Sequence, residues 1–254
     1  MQDSHVVVTD NKIRRLYKKW YSPFLQRDME LLVFGFAGKP VLFFPTRTAR
    51  FYDYEDWKVI DALQPKIDAG ELQVFCVDSA DKESFYNTSI SPAERILKHN
   101  LFERYILQEV YPFIKTLNLN PYIISAGCSL GAYHAVNIAF RYPTMFSKVV
   151  GMSGRYDITI RLPYFEDLFD GYRDNHILYH MPTQYLPLIQ SEALIQQLRK
   201  LEIIIAIGVE DAFLPNNQLL NEQLQSKQIN HQFHLWKGEA HKAQYWSEMV
   251  QMYF

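Results

Sequence analysis

Cysteine is scarce in this chain. The two cysteines, Cys76 and Cys128, stand in separate apolar stretches. Neither their number nor their spacing fits a zinc site or a disulfide framework, so we expect two buried free thiols in a reducing compartment. No apolar run approaches the length of a membrane span, and the N-terminus has no basic region followed by an apolar core. These absences favour a cytoplasmic protein without a membrane partner.

An excess of charge of either sign is also missing. The chain has 26 Lys and Arg against 28 Asp and Glu, a formal net charge of −2. This balance gives no reason to expect a nucleic-acid partner. The short basic run Arg14, Arg15, Lys18 and Lys19 is typical of a solvated face. Internal repeats, low-complexity tracts and Gly/Ser linkers are absent too, which favours a single domain over residues 1–254.

What the chain does contain is a series of short apolar runs that alternate with helical patterns. Residues 15–36 predict a hairpin that reverses near Asp28. The later predicted strands cover residues 41–44, 72–77, 122–126, 148–152, 201–207 and 231–236. The predicted helices cover residues 54–67, 92–115, 130–142, 217–226 and 244–254, and Ser91-Pro92-Ala93-Glu94 caps the second. This order indicates an α/β fold: a mostly parallel central sheet with helices on both faces and an antiparallel N-terminal edge hairpin.

Residues 157–188 do not follow that alternation. They are rich in Tyr, Phe and Pro and lie between two predicted strands. We interpret them as a cap inserted over the strand ends, with a packed irregular loop as the alternative. A group of aromatic residues suggests a stacking pocket for a sugar or a phenolic acid, although packing in the core or cap is the commoner role. The group is Phe51, Tyr52, Tyr54, Phe165 and Tyr172.

The segment Gly127-Cys128-Ser129-Leu130-Gly131 lies between a predicted strand and a predicted helix. Two glycines that flank a serine in this context are typical of a nucleophile elbow, a strained turn that exposes the serine hydroxyl. An ordinary glycine-rich joint is the alternative. Cys128 is one position early for a nucleophile, so we expect it to point into the packing.

A serine nucleophile of this kind needs an acid and then a histidine later in the chain. Asp211 follows a core strand, and its neighbour Glu210 stays open as an alternative. His241 follows the last predicted strand and is the candidate base. His134 is expected to pack beneath the elbow, and His231 and His234 to be structural. His176 and His180 either touch substrate or are exposed polar residues, and His5 and His99 have no role.

Backbone N–H groups must also stabilise the oxyanion of an acyl-transfer reaction. The N–H of Leu130, directly after the serine, is one candidate. The second comes from the loop after Phe44, where Thr46 and Arg47 are both candidates on position alone. The Arg47 side chain is also a candidate for an anionic substrate group, with an ordinary surface arginine as the alternative. This chemistry needs neither a metal nor an organic cofactor.

Several segments together carry a resemblance to a known family. They are RDMELLVFG, VLFFPT, RFYDYED, LQVFCVD, AGCSLGAYHA, SGRYD and HLWKGEAHKAQYW. The chain resembles the putative esterase family of the α/β-hydrolase superfamily, the esterase D-like group, which includes S-formylglutathione hydrolases, feruloyl and acetylxylan esterases and mycolyltransferases. The resemblance implies an α/β-hydrolase fold with Ser129 as nucleophile, Asp211 as acid and His241 as base. Arg47-Thr48-Ala49 departs from the Ser-Gly-Gly-like segment that members often have there.

The sequence therefore predicts a serine carboxylesterase that acts on a small-molecule or glycan-linked ester through an acyl-enzyme. An acyltransferase to a sugar or lipid hydroxyl is one alternative. A non-catalytic binding protein on the same fold is another, since fold alone does not determine function. The acyl group, the alcohol and the oligomeric state are not given by these residues.

Overall fold

The computed structural model describes residues 6–9 and 12–254, with side chains from residue 15 onward, so His5 lies outside the described residues. The strands are β1 (Val6–Thr9), β2 (Lys12–Ser22), β3 (Arg27–Phe34), β4 (Lys39–Phe44), β5 (Leu72–Val77), β6 (Ile124–Cys128), β7 (Lys148–Met152), β8 (Glu202–Gly208) and β9 (Gln232–Trp236). The helices are α1 (Asp53–Asp56), α2 (Val59–Asp68), α3 (Pro92–Tyr105), α4 (Tyr111–Leu117), α5 (Leu130–Arg141), α6 (Asn175–Leu178), α7 (Pro182–Tyr185), α8 (Glu192–Leu198), α9 (Leu214–Ser226) and α10 (Ala243–Tyr253).

In this described part of the chain, the nine strands form one sheet in the order β1-β2-β3-β5-β4-β6-β7-β8-β9. The pairs from β5 through β4, β6, β7 and β8 to β9 are parallel, and the pairs among β1, β2, β3 and β5 are antiparallel. The predicted α/β fold with a mostly parallel sheet is confirmed. The hairpin prediction needs one correction, because β1 pairs outside β2 and takes the edge position.

Side chains on successive strand residues point to opposite faces of the sheet, and both faces are covered. In β4, Leu42 and Phe44 pack into the core beneath α3, α4, α5 and α9. Their neighbours Val41 and Phe43 pack against α2 and α10 on the other face. Burial on both faces explains why these strands are continuous apolar runs rather than alternating ones.

Two predicted helices are less regular than the sequence pattern suggests. The helix predicted over residues 54–67 is divided into α1 and α2, because Lys58 has a left-handed backbone with φ of 64°. The helix predicted over residues 92–115 begins with the expected capping box at Ser91 and Glu94. It then contains a π-helical turn at Ile106–Val110. Pro112 lies two residues after this turn, and a proline ring clashes with the carbonyl four residues before it, which accounts for the widened turn.

The strand predicted over residues 122–126 lies two residues later, at Ile124–Cys128, and therefore runs directly into Ser129. The other predicted strands and helices differ from the observed bounds by up to three residues at their ends. Helix α8 was not predicted. Cys76 and Cys128 are both free and buried, as expected.

Residues 157–188 form turns, the short helices α6 and α7, and a 3₁₀ turn at Leu186–Leu188. Ile158, Phe169 and Ile177 from this segment pack in one buried cluster with Leu130 and Tyr133 of α5. The segment therefore sits over the start of α5, beside the elbow. Within the described part of the chain, every helix is too short or too polar to cross a bilayer.

Candidate active site

Ser129 occupies the turn between β6 and α5 with a backbone that few residues adopt. Its φ is 56° and its ψ is −121°. The amide of Ser129 donates to the carbonyl of Met152 at the end of β7, at 2.9 Å. A positive φ in a non-glycine residue is strained and persists only where the surrounding structure enforces it. The local geometry matches the predicted nucleophile elbow.

The two flanking glycines are required by close backbone packing. A Cβ on Gly127 would lie 2.2 Å from the carbonyl of Gly131. A Cβ on Gly131 would lie 2.3 Å from the carbonyl oxygen of Phe44 at the end of β4. Real Cβ atoms do not approach so closely, so only glycine allows β4, β6 and α5 to meet here.

The three residues predicted as nucleophile, base and acid form one hydrogen-bonded chain. The Ser129 Oγ and His241 Nε2 are 2.9 Å apart, and His241 Nδ1 lies 2.7 Å from Asp211 Oδ2. A carboxylate only accepts, so Nδ1 carries the ring proton and Nε2 is left to accept from the Ser129 hydroxyl. The other carboxylate oxygen, Asp211 Oδ1, accepts from the amide of Phe213 at 2.8 Å.

Glu210, the open alternative for the acid, is placed differently. Asp211 is buried, with 6% of its surface exposed, whereas Glu210 is exposed. The amide of Glu210 donates to the carbonyl of Gly238. The structure thus brings Asp211, and not Glu210, to the histidine.

The other described histidines lie away from this chain of hydrogen bonds. His134 is buried beneath the elbow, as expected, with Nε2 3.2 Å from Asp81 Oδ1. His231 contacts Asn221 and the Ile229 carbonyl, and His234 contacts Gln232. His176 is exposed. His180 was expected to touch substrate or to be exposed, and both are wrong: it is buried against Glu103, because the 157–188 segment packs down onto α3.

Two residues that the sequence did not single out hold the loop before His241. The Ser153 hydroxyl donates to the carbonyl of Ala240 at 2.7 Å and accepts from Trp246 Nε1 at 3.2 Å. Ser153 follows β7 and is fully buried, with φ of 53°. Ser153 lies in the SGRYD segment, but nothing in the sequence around it indicates that it contacts Ala240 and Trp246. Its two hydrogen bonds join the residue before His241 to Trp246 of α10.

Tyr54 and Asp81 fix the loop that carries the candidate oxyanion donors. The buried Tyr54 hydroxyl donates to the Phe44 carbonyl at 2.8 Å and accepts from the Cys128 amide at 3.1 Å. It therefore links the end of β4 to the residue before Ser129. Asp81 Oδ2 accepts from the amide of Thr48 at 2.9 Å.

The candidate oxyanion donors themselves have no backbone acceptor. In the described chain, no hydrogen bond is formed by the amides of Thr46, Arg47 or Leu130. These amides are therefore available to a substrate oxygen, and the choice between Thr46 and Arg47 stays a prediction. Burial raises the pKa of the Cys128 thiol, which suits the apolar packing role expected for it.

A cavity of about 400 Å³ opens beside Ser129 and His241. Its remaining lining comes from the β4–α1 loop, Asp53 of α1, Trp57 at the α1–α2 break, Leu130 of α5, and the side chains of Tyr86, Arg155, Phe165, Phe213 and Trp246. Of the five aromatic residues considered for a stacking pocket, Phe165 lines the cavity. Phe51 and Tyr54 are buried in the core, and Tyr52 and Tyr172 are surface residues.

One group of potential metal ligands lies elsewhere in the described residues. The ligating atoms of His99, Glu103 and His180 are within 4.8 Å of one another. The Glu103 carboxylate already accepts hydrogen bonds from Asn137 and Arg141 and contacts His180. These partners satisfy the carboxylate without an ion.

Comparisons with known proteins give a family and a fold. The family model described as "Putative esterase" matches residues 54–252, and no curated protein matches the chain. An S-formylglutathione hydrolase from Agrobacterium tumefaciens superposes with a TM-score of 0.76 at 14% identity, over 99% of this chain and 96% of that one. Fluorophosphonate-binding serine hydrolase F from Staphylococcus aureus superposes with a TM-score of 0.70 at 17% identity, over 94% and 95%. An enterochelin esterase from Shigella flexneri gives 0.63 at 19% identity, over 94% and 57%.

At these identities the solved structures show a shared fold, which is the α/β-hydrolase fold. The family match supports a statement about activity as well as fold, because it spans most of the chain and includes Ser129, Asp211 and His241. The chain belongs to the putative esterase family and is a hydrolase of carboxylic esters.

Proposed function

We propose that the chain is a serine carboxylesterase that works through Ser129, His241 and Asp211 and an acyl-enzyme intermediate. The observation that carries this proposal is the continuous hydrogen-bonded chain from Ser129 Oγ through both ring nitrogens of His241 to Asp211. This arrangement supplies a hydroxyl nucleophile, a base within reach of its proton and an acid that orients the base.

In the first half of the reaction, Ser129 Oγ attacks the carbonyl carbon of the ester while His241 Nε2 takes the hydroxyl proton. The carbonyl oxygen becomes an oxyanion, which accepts hydrogen bonds from the Leu130 amide and from the Thr46 or Arg47 amide. His241 then returns its proton to the alcohol oxygen as the ester C–O bond breaks. The alcohol leaves, and the acyl group remains on Ser129.

In the second half, water attacks the acyl carbon and gives a proton to His241. The bond between Ser129 Oγ and the acyl carbon breaks, the acid is released, and the serine regains its proton from His241. Throughout, Asp211 accepts from Nδ1–H and stabilises the imidazolium that forms twice per cycle.

We also propose that residues 157–188 act as a cap on the pocket. Phe165 supports this role, because its ring lies 4.5 Å from that of Phe213 and 6.3 Å from that of His241. The free, buried thiols of Cys76 and Cys128 support a cytoplasmic location.

Replacement of Ser129 tests the nucleophile. We expect Ser129→Ala to reduce kcat on 4-nitrophenyl acetate by about 10⁶, because the serine and histidine act as a unit. Ser125→Ala is the matched control: its hydroxyl donates to the Ala135 carbonyl in the core, so activity should persist. A fluorophosphonate probe should label wild type and the control on Ser129 and leave Ser129→Ala unlabelled. An equally active Ser129→Ala enzyme would refute the proposal.

A second pair of variants tests the acid. We expect Asp211→Asn to reduce kcat by about 10⁴, since an amide at this position no longer favours the proton on His241 Nδ1. Glu210→Gln, one residue away and exposed, should retain wild-type kcat. Equal losses in the two variants would contradict the assignment of Asp211. Reactions with added glycerol, a competing acceptor, separate hydrolysis from acyl transfer: hydrolysis gives the free acid, and transfer gives a glycerol ester.

A further inference from the structure

Arg155 is a buried positive charge on the wall of the active-site cavity and forms no ion pair with a described carboxylate. Only 4% of its surface is exposed. Its Nη2 donates to the carbonyls of Ile160 at 2.7 Å and Glu166 at 2.6 Å, and its other hydrogen bonds also go to backbone carbonyls. Among residues 15–254, no carboxylate lies within ion-pair distance of this guanidinium. Burial lowers the pKa of Arg155, although an arginine stays charged at neutral pH.

Other arginines of the described chain form ion pairs with carboxylates, unlike Arg155. Arg141, which is also largely buried, pairs with Glu103, and Arg50 pairs with both Glu30 and Asp78. The carboxylates of Asp157 and Asp167 act on Arg155 only from beyond ion-pair distance. Asp167 is paired with Arg173, and Asp157 accepts from the Thr159 hydroxyl. The buried charge is therefore incompletely compensated, and a bound anion would complete it. Nη1 of Arg155 forms no hydrogen bond within the described chain, which leaves its donors available to the cavity.

A second guanidinium lines the same cavity. Arg47 is exposed and has no ion pair within the described chain, and its guanidinium lies 6.0 Å from the centre of the Tyr86 ring. Burial raises the pKa of Tyr86 to about 12, so its hydroxyl stays protonated and is a donor at neutral pH. Arg47, Arg155 and Tyr86 thus present three donor side chains to one cavity.

The acidic groups nearby do not cancel these charges. Asp53 also lines the cavity, and its Oδ2 accepts from the backbone amide of Arg50 at 2.9 Å. Asp211 is engaged by His241. Thr46 and Thr48 add uncharged polar groups to the wall, and much of the rest is apolar or aromatic, including Phe165, Phe213 and Trp246. The lining beside Ser129 therefore contains two guanidiniums, from Arg47 and Arg155, and one carboxylate, from Asp53.

We propose that this cavity selects esters that carry an oxyanionic group, a carboxylate or a phosphate, which Arg155 and Arg47 bind. The inference rests on the proposed esterase function and adds its substrate class. A planar guanidinium matches such a group with two parallel hydrogen bonds, and a cavity of about 400 Å³ limits the substrate to a small molecule or one end of a larger one.

Matched substrates test the proposal. On the acyl side, mono-4-nitrophenyl succinate is compared with its neutral methyl ester. On the alcohol side, 4-acetoxybenzoate and 4-acetoxyphenyl phosphate are compared with methyl 4-acetoxybenzoate. For each set, the ratio of kcat/KM for the anionic substrate to that for the neutral one is measured in wild type and variants. Comparison of the same ratio across variants cancels the intrinsic reactivity of each ester.

Arg47→Gln is the first variant, because it keeps the backbone amide and leaves no buried group unpaired. We expect the anionic-to-neutral ratio to fall about tenfold or more, as for the loss of a charged hydrogen bond, mainly through KM. Arg47→Lys should restore part of the ratio. Arg161→Gln is the control, since it removes an exposed charge from the 157–188 segment outside the cavity and should leave the ratio unchanged.

Arg155→Lys is the second variant and retains charge while it removes the planar fork. We expect a lower ratio here too. The thermal unfolding midpoint of this variant is measured alongside, so that damage to the loop that Arg155 supports is distinguished from loss of anion binding. The substrate set whose ratio falls more shows whether the anion belongs to the acyl side or the alcohol side of the ester. Comparison of 4-acetoxyphenyl phosphate with 4-acetoxybenzoate shows whether the cavity prefers a phosphate or a carboxylate. A wild-type enzyme that hydrolyses the neutral esters but whose ratio is the same in all variants would overturn this proposal and leave the esterase function intact. Absence of hydrolysis and of Ser129 labelling would instead refute the function itself.

Discussion

The Tyr54 hydroxyl makes a measurable prediction about how the elbow is held. Tyr54→Phe removes one oxygen atom that donates to the Phe44 carbonyl at 2.8 Å and accepts from the Cys128 amide at 3.1 Å. A buried hydrogen bond contributes about 0.5–1.5 kcal/mol to stability, so the loss of two should lower the free energy of unfolding by about 1–3 kcal/mol. The ring is retained, and it stacks on Phe43 with a centroid distance of 4.0 Å, so no cavity larger than the hydroxyl is created.

Activity should fall as well, for a geometric reason. Phe44 directly precedes the loop of Thr46 and Arg47, and Cys128 directly precedes Ser129. Loss of the link between them loosens the candidate oxyanion donors relative to the nucleophile, and small displacements of this kind reduce rates by about tenfold to a hundredfold. We therefore expect a lower kcat on 4-nitrophenyl acetate and little change in KM.

The chain offers a matched control in Tyr105. Its hydroxyl is buried and has no hydrogen-bond partner, so Tyr105→Phe removes the same atom without the loss of a bond. We expect its free energy of unfolding in urea to be unchanged or slightly higher, and its kcat to equal that of wild type. Equal effects of the two substitutions on stability and kcat would refute the role given to Tyr54.

Other contacts carry further expectations. Gly131→Ala places a Cβ 2.3 Å from the Phe44 carbonyl oxygen, so we expect the free energy of unfolding in urea to fall by about 1–3 kcal/mol and kcat to fall with it. Unchanged stability and kcat would contradict this packing. Ser153→Ala removes the bond to the Ala240 carbonyl and should lower kcat rather than raise KM, with equal kcat as the contrary result. Burial holds the pKa of His99 in the folded protein well below 6.5. As the pH falls, the His99 imidazole is therefore protonated in the unfolded chain before it is protonated in the folded protein. Below pH 6.5 the free energy of unfolding should therefore drop by up to about 1.4 kcal/mol per pH unit, and His99→Gln should reduce that slope.

Features set by neighbours in sequence were predictable. The glycines at 127 and 131, the apolar strand before them and the helix after them are one local pattern, and the structure has that strand, turn and helix in place. The capping box at Ser91 and Glu94 is local too, and it was confirmed. The meeting of Ser129, Asp211 and His241 at one edge of the sheet was predictable too, because each follows a parallel strand and such strands end at one edge.

Residues whose roles depend on distant partners were not predictable. Tyr54 contacts Cys128 across 74 residues of sequence, and Ser153 contacts Ala240 across 87. Nothing in the local pattern separates such a tyrosine from an ordinary core aromatic residue. His180 was misjudged for the same reason, because its burial depends on how residues 157–188 dock onto Glu103 in α3.

Three residues with a strained backbone lie where these long-range contacts meet. Ser129, Ser153 and Ala240 have φ values of 56°, 53° and 51°, a region that favours glycine, yet each bears a side chain. Strain of this kind costs about 1–3 kcal/mol per residue and persists only if other contacts offset it. The contacts are present: Ser153 donates to the Ala240 carbonyl, and the Ser129 and Ser153 amides donate to the carbonyls of Met152 and Ala206. A hydrogen-bonded network therefore holds the serine turn and the histidine loop in place together, and this mutual support keeps Ser129 Oγ and His241 Nε2 at 2.9 Å from each other.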